Sequence, residues 1–202
     1  MMIPLSILIA EDEVLTRVDI KAMLEKAGYV VCGECSDGRD AVNTAKRTSP
    51  DLAILDIMMP KLDGLEVAKI FQNMNIPVIM LTAYSQPSFI SRAECVHACG
   101  YLIKPTSENG LLAMVRIAYA RWKDTQNIKQ ELAETKNQLA NQQTIAHARV
   151  ILKDKLGVSE QEAHRQLLRQ AMQKRVTLVE VAKQIISSHK AAKVLNNSDR
   201  NN

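Results

Sequence analysis

Aromatic residues are scarce in this chain of 202 residues: two Phe, four Tyr and one Trp make up 3% of it. A nucleic-acid module that stacks bases on aromatic platforms is therefore not expected, and any contact with nucleic acid has to use charge and shape. No stretch approaches the roughly 18 uninterrupted apolar residues of a membrane helix. The apolar start, Ile3 to Ala10, has no basic flank and runs straight into Glu11, Asp12 and Glu13, so a cytoplasmic protein without a signal peptide or membrane association is expected. Four cysteines are too few for a disulfide scaffold. Cys32 and Cys35 fall in an apparent strand, Tyr29 to Cys35, which places their side chains on opposite faces, while Cys95 and Cys99 stand four apart on an expected helix with His97 pointing away from both. Neither pair makes the tight thiolate knuckle of a structural zinc site, and reduced, packed thiols are expected. Pro and Gly are both missing between Gly110 and Gly157, so nothing there interrupts a long helix.

What is present is ordinary globular composition, 47% hydrophobic and 24% charged, with a net charge of +4 that conceals a segregation. Residues 1–120 carry 11 Lys and Arg against 14 Asp and Glu, whereas 121–202 carry 15 against 8. Two units with different partners are implied, the basic one suited to a polyanion or else presenting a solvated helical surface. In the acidic half, five short apolar runs begin at Ser6, Val30, Asp51, Pro77 and Gly100. They alternate with helical periodicity over 14–27, 38–48, 64–74, 87–98 and from 107 onward. Apolar runs separated by helices predict parallel strands buried on both faces, that is, a doubly wound α/β domain.

Beyond residue 107 the strands stop. Ile128, Leu132, Thr135, Leu139, Gln142 and Ala146 follow the alternating spacing of a coiled-coil seam, half of it strongly apolar, which predicts a weakly dimerising helix or a stripe that packs on its own chain. Gly157 can end that helix. Ser159 with Glu162, and Thr177 with Glu180, carry the capping-box spacing that opens two further helices, about 160–173 and 178–189. The polar end after residue 190 is expected to be disordered.

At the carboxyl ends of parallel strands side chains share a crevice. Glu11 and Asp12 follow the first strand, Asp56 ends the third, Thr82 the fourth, and Lys104 follows the fifth. Three clustered carboxylates repel one another unless a hard divalent cation such as Mg²⁺ is held among them, and a metal beside a lysine suits a transferring phosphoryl group. Ile9 to Glu13, Leu55 to Pro60 with Asp63-Gly64, Leu81 to Tyr84 and Gly100 to Pro105 together resemble the receiver domain of two-component response regulators over about 115 residues. That resemblance implies a flavodoxin-like five-stranded fold in which Asp56 accepts a phosphoryl group from a sensor histidine kinase. It further implies Mg²⁺ on Asp12, Asp56 and the Met58 carbonyl, with Glu11 acting through a water. Lys104 and Thr82 would engage the phosphate, and Tyr101 would turn inward with Thr82. Glu11 stands where this family usually carries aspartate.

In the basic half, Thr144 to Leu152, Gly157 to Ala163, Leu167 to Met172 and Leu178 to Ala182 resemble the ANTAR domain of transcription antitermination regulators over about 60 residues. The matching positions are Ala148, Arg149, Ala163, Leu167, Ala171, Met172, Leu178, Val181 and Ala182. Val150, Lys153 and His164 depart, standing for a usual glycine, methionine and aromatic. The resemblance implies a small three-helix module on a coiled coil that binds RNA with two short hairpin loops as a dimer and prevents termination. Arg149, Lys153, Arg165, Arg169, Lys174 and Arg175 are the expected RNA contacts, and they would make affinity fall steeply with salt. The expected organisation is a receiver over 1–120, a coiled-coil linker over 121–145, an RNA-binding helical domain over 146–190 and a tail over 191–202. A DNA-binding or protein-interaction output is the alternative. An enzymatic output is not expected, since no cluster of nucleophile, base and metal ligands follows residue 120.

Overall fold

The computed structural model describes residues 4–83 and 98–198, so the helix expected over 87–98, with Cys95 and His97, lies outside the described residues. The chain divides into two compact units, 1–127 and 128–202.

In the first unit the strands are β1 (Ser6–Ala10), β2 (Val30–Cys35), β3 (Leu52–Asp56), β4 (Val78–Thr82) and β5 (Gly100–Ile103). They form one parallel sheet in the order β2-β1-β3-β4-β5, the doubly wound arrangement that the five apolar runs predict. Alternate residues of each strand go to opposite faces. Ile7, Ile9, Ile54, Ile79 and Leu81 join α1 (Val14–Lys26) and the start of α4 (Glu108–Leu156) in one core cluster. Leu8, Ala10, Ala53, Leu55 and Met80 join α2 (Gly38–Thr48) and α3 (Gly64–Asn73) in the other. Asp37 and Asp63 cap α2 and α3 through the amides of Asp40, at 2.9 Å, and Glu66, at 2.8 Å.

The cysteine expectation is corrected here. Ile7 pairs with Val31 but Leu8 pairs with Gly33, so β2 carries one extra residue, Cys32, against β1. The bulge shifts the alternation, and Cys32 and Cys35 pack against the same core cluster rather than on opposite faces. Both thiols are free, and burial raises their pKa values, that of Cys35 to about 11. Buried protonated thiols suit packing, not metal ligation.

α4 runs unbroken from Glu108 to Leu156 and stops at Gly157, whose φ of 66° is a left-handed cap. Ile128, Leu132 and Leu139 are 64%, 52% and 55% exposed, so the seam packs on nothing among the described residues. In the second unit, the end of α4 packs with α5 (Glu160–Lys174) and α6 (Leu178–Ser198) around Ala148, Leu152, Ala163, Leu167, Ala171, Val181 and Ala182. Ser159 accepts from the Glu162 amide at 3.2 Å, and Thr177 and Glu180 form the reciprocal pair of a capping box. α6 extends to Ser198, nine residues past its expected end and into the expected tail. Lys190-Ala-Ala-Lys is strongly helix-favouring, and no Gly or Pro follows to stop it. Among the described residues no helix is long and apolar enough to cross a membrane.

Candidate phosphoacceptor site and basic surface

The parallel register brings the acidic residues together. Ala10 pairs with Leu55, which sets Glu11 level with Asp56, and Thr82 pairs with Ile103, which delivers Lys104 beside them. Lys104 N donates to the Thr82 carbonyl at 2.9 Å, tying the ends of β4 and β5. Carboxylate oxygens of Glu11, Asp12 and Asp56 all lie within 4.8 Å of one another. Asp56 is 6% exposed, Glu11 fully buried and Asp12 exposed, so the cluster opens to solvent through Asp12. Met58 donates its amide to Asp56 Oδ1 at 3.3 Å.

Lys104 Nζ lies 2.8 Å from Asp56 Oδ2 and 2.5 Å from Glu11 Oε2. Glu11 is thus a direct partner of the lysine, although its Oε2 has no well-directed hydrogen bond. Burial, and after it the nearby Asp56 charge, raise the Glu11 carboxyl to about 7 in spite of that ammonium. Burial also works against the charge on Lys104, but hydrogen bonds to Asp56 and Glu11 outweigh it and hold the lysine above its ordinary value. Two acids share one counter-charge, and an additional cation would relieve the remainder. The donors are all hard oxygens, the set Mg²⁺ prefers. Thr82, half-buried, ends β4, and Tyr101, half-buried, packs against the cluster that holds α2 and α3.

Sequence patterns gave no sign of a second feature beside the site. Lys61, held at a φ of 66°, pairs with Asp37 at 2.5 Å and joins the loop before α2 to the loop before α3. Only the folded register puts those two loops side by side.

The six expected RNA contacts behave unequally. Arg149 is half-buried and paired with Glu160 at 3.3 Å, which fastens α4 to the start of α5, and its Nε is buried without a hydrogen-bond partner. Arg165 pairs with Glu162 at 3.5 Å across one turn, and Lys174 donates to Gln184 at 2.9 Å. Lys153, Arg169 and Arg175 are exposed, with no ion pair among the described residues. Met172 is 78% exposed and Val150 54%, so neither belongs to the core, while His164 Nδ1 is buried without a hydrogen-bond partner.

The response regulator receiver domain family matches residues 7–116, and the ANTAR domain family matches residues 133–186. The transcriptional regulatory protein PdtaR of Mycobacterium tuberculosis is 35% identical over 187 residues, spanning 92% of this chain and 91% of its own. The signal receiver domain of a modulated diguanylate cyclase from Desulfovibrio desulfuricans superposes with a TM-score of 0.57 at 33% identity, over 60% of this chain and 98% of its own. The chemotaxis response regulator CheY4 of Vibrio cholerae does so with a TM-score of 0.53 at 29% identity, over 57% and 99%.

Proposed function

The chain belongs to the response regulators that join a receiver domain to an ANTAR domain, and on that premise we propose that it is a phosphorylation-controlled, RNA-binding antitermination regulator. The observation that carries this reading is the buried Asp56 carboxylate at a strand end, with an ammonium 2.8 Å away and two further carboxylates beside it. The phosphoryl group passes from a phosphohistidine nitrogen of a partner kinase to Asp56. The P–N bond breaks as the P–O bond to the carboxylate forms. Asp12, Asp56 and the Met58 carbonyl would hold Mg²⁺, which would supply positive charge against the transferring phosphoryl group, and Glu11, paired directly with Lys104, would reach the ion only through a water. Lys104, 2.8 Å from Asp56 Oδ2, pairs with the phosphate. Thr82 closes on the phosphate by hydrogen bond, and Tyr101 turns inward behind it. The proposed organisation is a receiver over 1–120, a linker helix over 121–145 and an RNA-binding module over 146–190.

The output reads RNA with paired hairpin loops. Lys153, Arg165, Arg169, Lys174 and Arg175 contact phosphates, and Arg149 holds the helices that present them. The test is a titration of two-hairpin RNA into the full-length protein, with and without an acyl-phosphate donor and Mg²⁺. Salt-sensitive binding that the donor strengthens supports the reading. Equal preference for duplex DNA overturns the RNA output.

Two further outcomes follow. Mg²⁺ at one hundred times its Kd stabilises the folded receiver by about 2.7 kcal/mol, read as a rise in melting temperature. The exposed Asp12, changed to Asn, removes most of that rise. The exposed seam of α4 pairs with a second copy on phosphorylation. Leu132→Glu with Leu139→Glu keeps the phosphorylated protein monomeric in sedimentation and lowers its RNA affinity at least about tenfold, the expected loss of a bivalent contact.

A further inference from the structure

A groove of about 700 Å³ opens in the C-terminal unit where the ends of α4 and α5 meet the side of α6. Its floor is apolar, made by the buried Ile151 and Leu152 and the half-buried Ile185. Lys155 and Lys174 stand on its rim against one carboxylate, Asp154, so the rim favours an anion. Two carboxamides, Gln170 from α5 and Gln184 from α6, line it from neighbouring helices. The volume lies in the ordinary range for a small bound molecule. A floor for a flat apolar face, amides for an edge of donors and acceptors, and ammonium groups for a phosphate together match one chemistry, that of a nucleotide.

The bond from Lys174 Nζ to Gln184 Oε1, 2.9 Å long, adds polarity to this match. It uses one lone pair of the amide oxygen and leaves the other, together with both amide hydrogens, for the edge of a ligand. No Phe, Tyr or Trp follows Trp122 in the chain, so among the residues lining the groove the His189 imidazole is the one ring a base could stack on. A base held in the groove rests on its aliphatic floor, with the His189 ring among the lining residues, and is read at its edge. A concave site of this size has room for a splayed base, and RNA offers such bases in hairpin loops.

We propose that this groove receives one unpaired base from a loop of the bound RNA, with Gln170 and Gln184 reading its edge and Lys155 and Lys174 holding the flanking phosphates. The inference rests on the RNA-binding reading above and adds to it the place where base identity is sensed.

The experiment presents the full-length, phosphorylated protein with a pool of two-hairpin RNAs whose loop positions are randomised, and sequences what is retained. The variants are Gln170→Ala with Gln184→Ala, and Ser188→Phe, which places a ring across the groove. Circular dichroism and melting temperature verify that both fold. Wild type enriches one base at one loop position by about tenfold, and both variants still bind the pool but drop that enrichment below about twofold, the loss expected when a paired edge contact is removed. The salt dependence of the glutamine variant stays that of wild type, because no phosphate contact has been removed. Enrichment that survives in both variants overturns the proposal. Free ribonucleoside monophosphates at millimolar concentration leave the RNA bound; displacement by one of them at micromolar concentration overturns it in favour of a free nucleotide ligand. Failure of the wild type to retain any RNA overturns the RNA output itself, a result distinct from binding without base preference.

Discussion

Asp56→Asn reduces phosphoryl uptake from an acyl-phosphate donor by more than about a hundredfold, while leaving the fold intact. The substitution is nearly isosteric, so the core beneath β3 has no reason to rearrange. What it removes is the anionic oxygen that attacks phosphorus, and an amide supplies no substitute. Nor does a neighbour readily take over. Glu11 is fully buried with a carboxyl raised to about 7, so part of it is protonated at neutral pH, and Lys104 lies against it. Asp12 has its carboxylate within 4.8 Å of Asp56 but is exposed, and it is not one of the two ion-pair partners of Lys104. Lys104→Met gives the contrasting result. The nucleophile remains, so uptake persists at a reduced rate, but Glu11 loses its counter-charge and is driven further toward its protonated form. Quantitative labelling with radioactive donor, read with melting temperatures for both variants, separates these effects. Asp56→Asn labelled at the wild-type level would place the acceptor elsewhere.

The parts of this site that were legible in the sequence are those set by strand periodicity. Each apolar run ends in a chemically distinctive residue, and a parallel sheet must gather such ends at one edge, which is how Glu11, Asp12, Asp56, Thr82 and Lys104 come to share a crevice. The ends of helices were legible for a similar reason, since Gly157 and the pairs Ser159 with Glu162 and Thr177 with Glu180 carry their instruction locally. Partner choice was not. Whether Lys104 reaches Glu11 as well as Asp56 depends on side-chain lengths across three strands, and whether Arg149 faces RNA or Glu160 depends on how α4 meets α5. The bulge at Cys32 escaped because it is a mismatch between two strands and leaves no mark in either strand alone. The extension of α6 escaped because Asn and Ser residues read as a tail, although the preceding alanines and lysines carry the helix through them.

A glycine next to the site has the second large effect. Gly64 opens α3 and donates its amide to the Ile57 carbonyl at 2.9 Å. A Cβ there would stand 1.9 Å from the Asp56 carbonyl oxygen and 3.0 Å from Ile57 Cα. Both obstacles are backbone, so neither can swing aside as a side chain would. Gly64→Ala therefore pushes α3 away from the end of β3, at a cost of about 2–3 kcal/mol, comparable to overpacking a core, and lowers the melting temperature by roughly 5–10 °C. The displacement acts on the peptide that carries Asp56, so the carboxylate shifts relative to Lys104, and the rate of phosphoryl uptake falls along with stability. Gly110→Ala is the control, because it makes the same chemical change inside a helix. Its Cβ would meet only the Ser107 and Thr106 hydroxyls, at 3.1 and 3.6 Å, which are side-chain ends rather than backbone, although the Ser107 hydroxyl also accepts the Gly110 amide at 3.2 Å. Alanine also gains helix propensity there, so that variant keeps its stability to within about 1 kcal/mol and takes up phosphoryl groups at the wild-type rate. Equal behaviour of the two variants would show that the close approach of Gly64 to β3 does not govern the geometry of Asp56.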